Sequence, residues 1–289
     1  MQITYQKSKK ILYKWTTVFI FVAINLQIEA NTKCSSNSPP IVPKYHLMEK
    51  CYKSKLGITA KAKYTSLISC LRLAIEKKAL SLNFSPPEAV KMMKEPLEYT
   101  CEVLKCAEAD GGLSLINDTR FDYYSLYAKP LPNLNSTCVP ATGMFFLISQ
   151  KYNYTDGQQQ CRNISGVLAD VTSEQRTDAL AQLLAGASVD AALVGMRRKN
   201  ESVFYGVNGN SLECTSYRAW SPGHPRRYFN KFDCVVLTRQ KTWKSTSCNK
   251  TYPVLCELLP GGPYKRRSIF LSKNMTKVAD PETDHTVKN

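Results

Sequence analysis

Residues 159–175 read QQCRNISGVLADVTSEQ, and the order of elements around them sets the fold of the second half of the chain. The stretch YTDGQQQC (154–161) reads as a short helix, and NISGVLADV (163–171) reads as a turn. A second helix is expected to open at Thr172, because Gln175 follows at capping-box spacing and Leu180, Leu183 and Leu184 continue on one helical face. Upstream, FFLIS (145–149) is a strand candidate, so two helices are expected beside a sheet.

Further along come LVGM (193–196), AWSPGHP (219–225), FDCVVL (232–237), WKSTSC (243–248) and VLCE (254–257). In order and spacing these resemble the C-type lectin-like domain over residues 138–258, with LVGM in the place of the family's core strand. The resemblance implies an α+β, disulfide-stapled fold with two helices, mixed and antiparallel sheets and a long irregular loop. It also implies the disulfides Cys161–Cys256, closing the domain, and Cys234–Cys248, bracing the loop. Cys138 and Cys214 stand outside those bridges and join each other or the first half of the chain.

In sugar-binding members of that family, a Glu-Pro-Asn loop, a further glutamate and an Asn-Asp pair after a tryptophan hold a calcium ion. The matching positions here are His224, Pro225 and Arg226, then Phe232, then Lys244 and Ser245 after Trp243. Calcium takes six to eight oxygens, several of them carboxylates. A cation ~4 Å from a dication costs on the order of 8 kcal/mol at an effective dielectric of about 20. The resemblance therefore implies a degenerate site in which the proline keeps the turn and no metal is held. Arg226, Arg227, Tyr228, Lys231 and Lys244 are the expected binding residues, with Phe229 and Phe232 interleaved and Arg239 and Lys241 nearby. Arginine clasps sulfate or carboxylate at two points, and aromatic rings stack on sugars or side chains. Asp233 is read as a structural hydrogen-bond acceptor.

The first half is a smaller α+β unit. TSLISCLRLAIEKK (65–78) places Leu67, Ile68, Leu71, Ala74 and Ile75 at helical spacing, with Cys70 on the same side. ALSLNF (79–84) alternates as a strand, and YTCEVLKC (99–106) is a second strand. The helix-strand-strand order around SCLRLA, KALSLNF and CEVL resembles the PAN/apple family, which implies a Cys70–Cys101 bridge. Ala74 and Ala79 stand where that family often has another bridge. Cys51 with Cys106 or Cys138 are candidates for joining the ends of the unit. Its span is 34–128, followed by a proline-bearing linker over 129–137 and, after the lectin-like domain, a disordered basic tail over 259–289.

Over residues 1–30 the chain has the form of a signal peptide: lysines at 7, 9, 10 and 14, an apolar run from Trp15 to Ile24, and an exit at Ala30. That run falls short of the ~20 apolar residues that cross a bilayer, so no stable membrane insertion is expected. All eleven cysteines lie beyond it, none in a CxxC pair, and the odd number leaves at least one to stay free or join another chain. Eight sequons, at Asn83, Asn117, Asn135, Asn153, Asn163, Asn200, Asn249 and Asn274, point to glycosylation and the extracellular space. Without Lys7, Lys9, Lys10, Lys14 and Glu29 the net charge of +16 becomes +13, which favours anionic partners. Outside the cell, nucleic acid is not the expected one.

Three histidines, His46, His224 and His285, are scattered through the chain, so neither a zinc motif nor a nucleophile-base-acid grouping is expected, and no cofactor is implied. The function expected is that of a secreted, non-catalytic recognition or adhesion protein. It would bind glycan, anionic polysaccharide or an extracellular protein without the usual calcium site, in an extracellular-matrix setting. The alternatives are a disulfide-linked structural matrix component, which makes a covalent oligomer, and a calcium-dependent carbohydrate-binding lectin of innate immune recognition.

Overall fold

The computed structural model describes residues 34, 42–91, 97–128, 131, 136–199, 203–226 and 231–260. The leader read over 1–30 lies outside the described residues, as does the tail beyond residue 260.

The first half runs β1 (His46–Glu49), β2 (Tyr52–Ser54), β3 (Ile58–Ala62), α1 (Leu67–Glu76), β4 (Ser81–Phe84), α2 (Pro87–Lys91), β5 (Cys101–Leu104), β6 (Leu115–Asn117) and β7 (Asp122–Ser125). An antiparallel sheet forms in the order β1-β7-β4-β5-β3, with β2 and β6 paired as a separate ribbon. Ser66 caps α1 by accepting the Ser69 N–H. Cys70 and Ala74 bury the inner face of α1 against Leu82, Phe84 and Val103, and Cys70 is bonded to Cys101. Ile68 and Ile75 do not join that core. They are exposed, Ile68 by 62%, because the sheet covers only the Cys70–Ala74 stripe of the helix.

All four residues of β4 are buried, so its alternation is one of chemistry, with no change in exposure along it. Leu82 and Phe84 face the helix. Ser81 and Asn83 face the polar side, where the Ser81 hydroxyl donates to Cys106 O and the Asn83 amide meets Ser54 on β2. This corrects one sequon: Asn83 is 0% exposed and its Nδ2 donates to Ser54 O and Glu102 Oε2, so no glycan fits there. Of the other seven, Asn117, Asn163 and Asn249 are exposed, and half-buried Asn153 caps a helix. Asn135, Asn200 and Asn274 lie outside the described residues.

The second half runs β8 (Ser136–Val139), β9 (Gly143–Tyr152), α3 (Tyr154–Asn163), β10 (Gly166–Leu168), α4 (Glu174–Gly186), β11 (Ala191–Arg198), β12 (Phe204–Tyr205), a 3-10 turn (Leu212–Cys214), β13 (Cys234–Thr238), β14 (Trp243–Thr246) and β15 (Tyr252–Leu258). The sheet order is β14-β13-β11-β15-β9-β8, with β10 on β15 and β12 on β11. The β11–β15 pair is parallel and the others antiparallel, a mixed sheet. Period-two alternation sends Val194, Val235, Leu237 and Leu255 to a core with Leu180 and Leu184 of α4. Leu193, Val236, Val254 and Cys256 go to the opposite core with Tyr154 and Cys161 of α3. Central strands covered on both faces are apolar without a break, as VVL at 235–237 is.

Two details of the opening stretch follow from close packing. A Cβ on Gly166 would stand 2.6 Å from Glu257 O, so the turn into β10 requires glycine. The cap of α4 is Ser173, which accepts from Arg176 N, one residue later than expected. Thr172 is unavailable for that role because its hydroxyl and N–H are both bonded to the Asp170 carboxylate.

The halves are joined directly. Strand β8 starts at Ser136, inside the stretch read as a linker, and Cys138 on it is bonded to Cys106 after β5. Leu80, Ala107, Leu126, Tyr127 and Leu131 pack with Met144 and Leu258, and the Tyr127 hydroxyl accepts the Met144 N–H at 2.9 Å. Cys214 is bonded to Cys34 rather than to Cys138, while Cys161–Cys256 and Cys234–Cys248 close the second half. Cys51 is the free, exposed cysteine. Among the described residues no helix is long and apolar enough to cross a membrane.

Candidate functional site: the long loop

The loop between β12 and β13 rests on an aromatic floor. Phe204 meets Trp220 at 4.9 Å, and Trp220 and Tyr217 pack edge-on against Trp243 at 5.5 and 5.3 Å. Trp243 is fully buried, and its indole N–H donates to Thr177 Oγ1 on α4 at 3.2 Å, so the floor is fixed to the helix beneath it. Residues 219–221 run beside β14: Trp243 N donates to Ala219 O at 2.7 Å and Ser221 N to Trp243 O at 2.9 Å. A turn with Gly223 at φ 75° and a cis His224–Pro225 peptide then brings the chain to Arg226.

At the turn, four of the expected positions come together. The Ser245 N–H donates to His224 Nδ1 at 3.0 Å, and the Ser245 hydroxyl lies 3.0 Å from the same nitrogen. Arg226 N donates to that hydroxyl at 2.9 Å, leaving the hydroxyl proton to point at Nδ1. The Arg226 guanidinium lies over the Phe232 ring at 4.8 Å. Because Nδ1 accepts, the imidazole is neutral with its proton on Nε2. Burial first, then the charges of Arg226 and Lys244, hold its pKa below the ordinary 6.5.

That depression fixes the sign of a pH effect. The unfolded chain takes up a proton near pH 6.5 while the folded site resists it. The stability the site contributes is therefore complete above that pH and is lost as pH falls through the lower folded value. Between about pH 7.5 and about pH 5, the wild type is expected to lose more melting temperature than His224→Asn, which does not titrate; paired thermal scans check this. Equal losses would show that the ring is not protected.

Lys244 and Lys231 are exposed beside this turn, whereas Arg227 and Tyr228 lie outside the described residues. Arg239 and Lys241 do not join the group. They sit at the far end of the β13–β14 hairpin, paired with Asp190 at 3.2 Å and Asp178 at 3.0 Å.

The sequence reading missed Arg198, whose side chain is buried behind the loop. Its Nη2 donates to Arg226 O at 2.9 Å, its Nη1 lies 3.9 Å from Asp233 Oδ1, and its guanidinium covers the Phe204 ring at 4.7 Å. Asp233 is thus an ion partner of an internal cation. Strand parity carried the signal, since residue 198 shares the face of Ala192, Val194 and Met196.

These residues do not fit a calcium ion. The imidazole and hydroxyl are committed to each other, two cations stand beside them, and among the described residues no three His, Cys, Asp or Glu side chains gather as a metal-holding group. Nor does the His224–Ser245 contact have the setting of a nucleophile and its base. The Ser245 residue is 4% exposed and its hydroxyl already accepts a backbone N–H.

Residues 150–258 match the lectin C-type domain, so this part of the chain is a C-type lectin-like domain, a class consistent with recognition of carbohydrate or protein. Over 116 residues the chain is 23% identical to collectin-10 of Xenopus tropicalis, covering 40% of this chain and 42% of that protein. Over 108 residues it is 28% identical to collectin-43 of Bos taurus, covering 36% of this chain and 33% of that one. The chain thus spans less than half the length of these curated relatives. Among solved structures it is similar to human lithostathine at 20% identity and a TM-score of 0.38, covering 43% of this chain and 97% of that one.

Proposed function

We propose that this is a secreted, non-catalytic recognition protein whose long-loop face binds an anionic glycan without calcium. The observation that carries the reading is the uneven pairing of cations. Arg226, Lys231 and Lys244 are exposed, and no salt bridge holds them among the described residues, whereas Arg239 and Lys241 at the other end of the hairpin are each matched by an aspartate. Unmatched cations beside an aromatic ring are the chemistry that captures sulfate or carboxylate groups. Secretion is supported by five disulfides, which persist in oxidising compartments. The first half, a PAN/apple-like module in this reading, would add a second contact surface rigidly joined to the lectin-like one.

Replacing Arg226 and Lys244 together by alanine is expected to weaken binding to immobilised heparin by more than about tenfold, since one charge-assisted contact alone is worth about that factor. Binding of the wild type should be the same in calcium and in chelator. Unchanged retention of the double variant, or retention abolished by chelator, would remove the reading.

A structural role is favoured by one observation, the free and exposed Cys51. In that case covalent dimers appear on non-reducing gels of the wild type and vanish in Cys51→Ser. A wild type that runs as a monomer refutes it.

A further inference from the structure

We propose that Arg226 is the oxyanion anchor of the long loop and that Arg198, buried behind it, is the internal cation that positions it. This rests on the loop face being the binding surface and goes on to name the group that makes the contact and the residue that holds it.

Arg226 is fixed at three points. Its N–H donates to the Ser245 hydroxyl at 2.9 Å, its C=O accepts from Arg198 Nη2 at 2.9 Å, and its guanidinium lies over Phe232 at 4.8 Å. An exposed arginine ordinarily loses much rotamer freedom on binding. Here the backbone is held on both sides and one face of the guanidinium is occupied by a ring. The N–H edge remains, and that planar fork matches the two oxygens of a sulfate or carboxylate. Lys231 and Lys244 are compact charges on flexible stems and add attraction with little geometry.

Arg198 does for this loop what a bound ion would do. It places a positive charge under the turn, takes the Arg226 carbonyl as a ligand, and lies 3.9 Å from the Asp233 carboxylate at the entrance to β13. Its backbone N–H also donates to Asp233 O at 2.7 Å, so strand and loop are joined through one residue. Phe204 covers the guanidinium face, which keeps the cation in place beneath the loop. Arg198 is 8% exposed and reaches the loop face through its bond to the Arg226 carbonyl, which makes it a positioning residue.

The test uses the full secreted chain with heparin and hyaluronan as immobilised probes, since the first carries sulfates and the second only carboxylates. Arg226→Ala is expected to weaken capture about tenfold, and Arg226→Lys by roughly half that factor, since a point charge cannot grip two oxygens. Arg198→Met should weaken capture to a similar extent with every exposed cation still present, and should speed hydrogen exchange of the Arg226 amide at least about tenfold. Arg198→Lys keeps the charge and guards against misfolding; it is expected to show the same faster exchange, because an ammonium lacks the fork that reaches both the carbonyl and Asp233. Capture by heparin alone assigns sulfate, and capture by both probes assigns carboxylate. If Arg226→Ala weakens capture while both Arg198 variants bind and exchange as the wild type does, the positioning role is overturned. If Arg226→Ala and Arg226→Ala/Lys244→Ala both leave capture unchanged, the face itself is refuted, and the anchor with it.

Discussion

Replacing Cys161 and Cys256 together by alanine is expected to cost about 4.5 kcal/mol of stability, and replacing Cys234 and Cys248 about 3 kcal/mol. The difference comes from the unfolded chain. The first bridge closes a sequence separation of 95 residues and the second one of 14, and the entropy removed from the unfolded state grows with the logarithm of loop length. The folded state acts in the same direction: Cys161, Cys234 and Cys256 all pack in the core beneath α3. Urea unfolding in a Cys51→Ser background, which prevents reshuffling through the free thiol, measures both variants. A smaller loss for the 161–256 pair than for the 234–248 pair would mean that the unfolded chain keeps its ends together without the bridge.

The part of the fold legible in sequence was the part written in local pattern. The stretch at 159–175 carries its turn, its glycine and its helix start within a few residues of one another, and LVGM (193–196) and CVVL (234–237) are apolar because both sheet faces are covered. The pairing of Cys34 with Cys214 and of Cys106 with Cys138 was not legible, because it depends on how the two halves dock, through Tyr127 and Met144 among others. Ile68 and Ile75 were read onto the inner face of α1, but at about 100° per residue they stand well round the helix from the Cys70–Ala74 stripe that packs on the sheet. At the loop, the matched positions His224, Arg226, Phe232 and Ser245 do converge. Arg198 escaped notice because it ends the core strand two residues past LVGM and matches none of the calcium-ligand positions that the resemblance singles out. Arg239 and Lys241 looked near in sequence, yet five residues of extended strand carry them to the other end of the hairpin.

Asn83→Ala is expected to cost about 3 kcal/mol, because it leaves two buried backbone groups without partners at about 1–3 kcal/mol each. Asn83 Oδ1 accepts the Ser54 N–H at 2.9 Å and Nδ2 donates to Ser54 O at 2.9 Å, so one side chain satisfies both backbone groups of a residue that is 1% exposed. Its second donor contact, to Glu102 Oε2 at 3.2 Å, ties this pair to a carboxylate already held by Lys53 at 2.9 Å. Asn83→Asp separates shape from hydrogen bonding. It keeps the acceptor but turns an oxygen toward Ser54 O and Glu102, so its stability should fall as pH rises and its carboxyl ionises, a dependence that Asn83→Ala does not share. Urea midpoints of the two variants across the acidic range measure the contrast, and a mild, pH-independent Asp variant would mean that Asn83 is not the joint between β4 and β2. The same geometry forbids modification, since both Nδ2 hydrogens are in use and solvent does not reach them. Peptide mapping should find Asn83 bare even if Asn117, Asn163 and Asn249 carry glycans, and a glycan at Asn83 in folded protein would contradict the packing of β4.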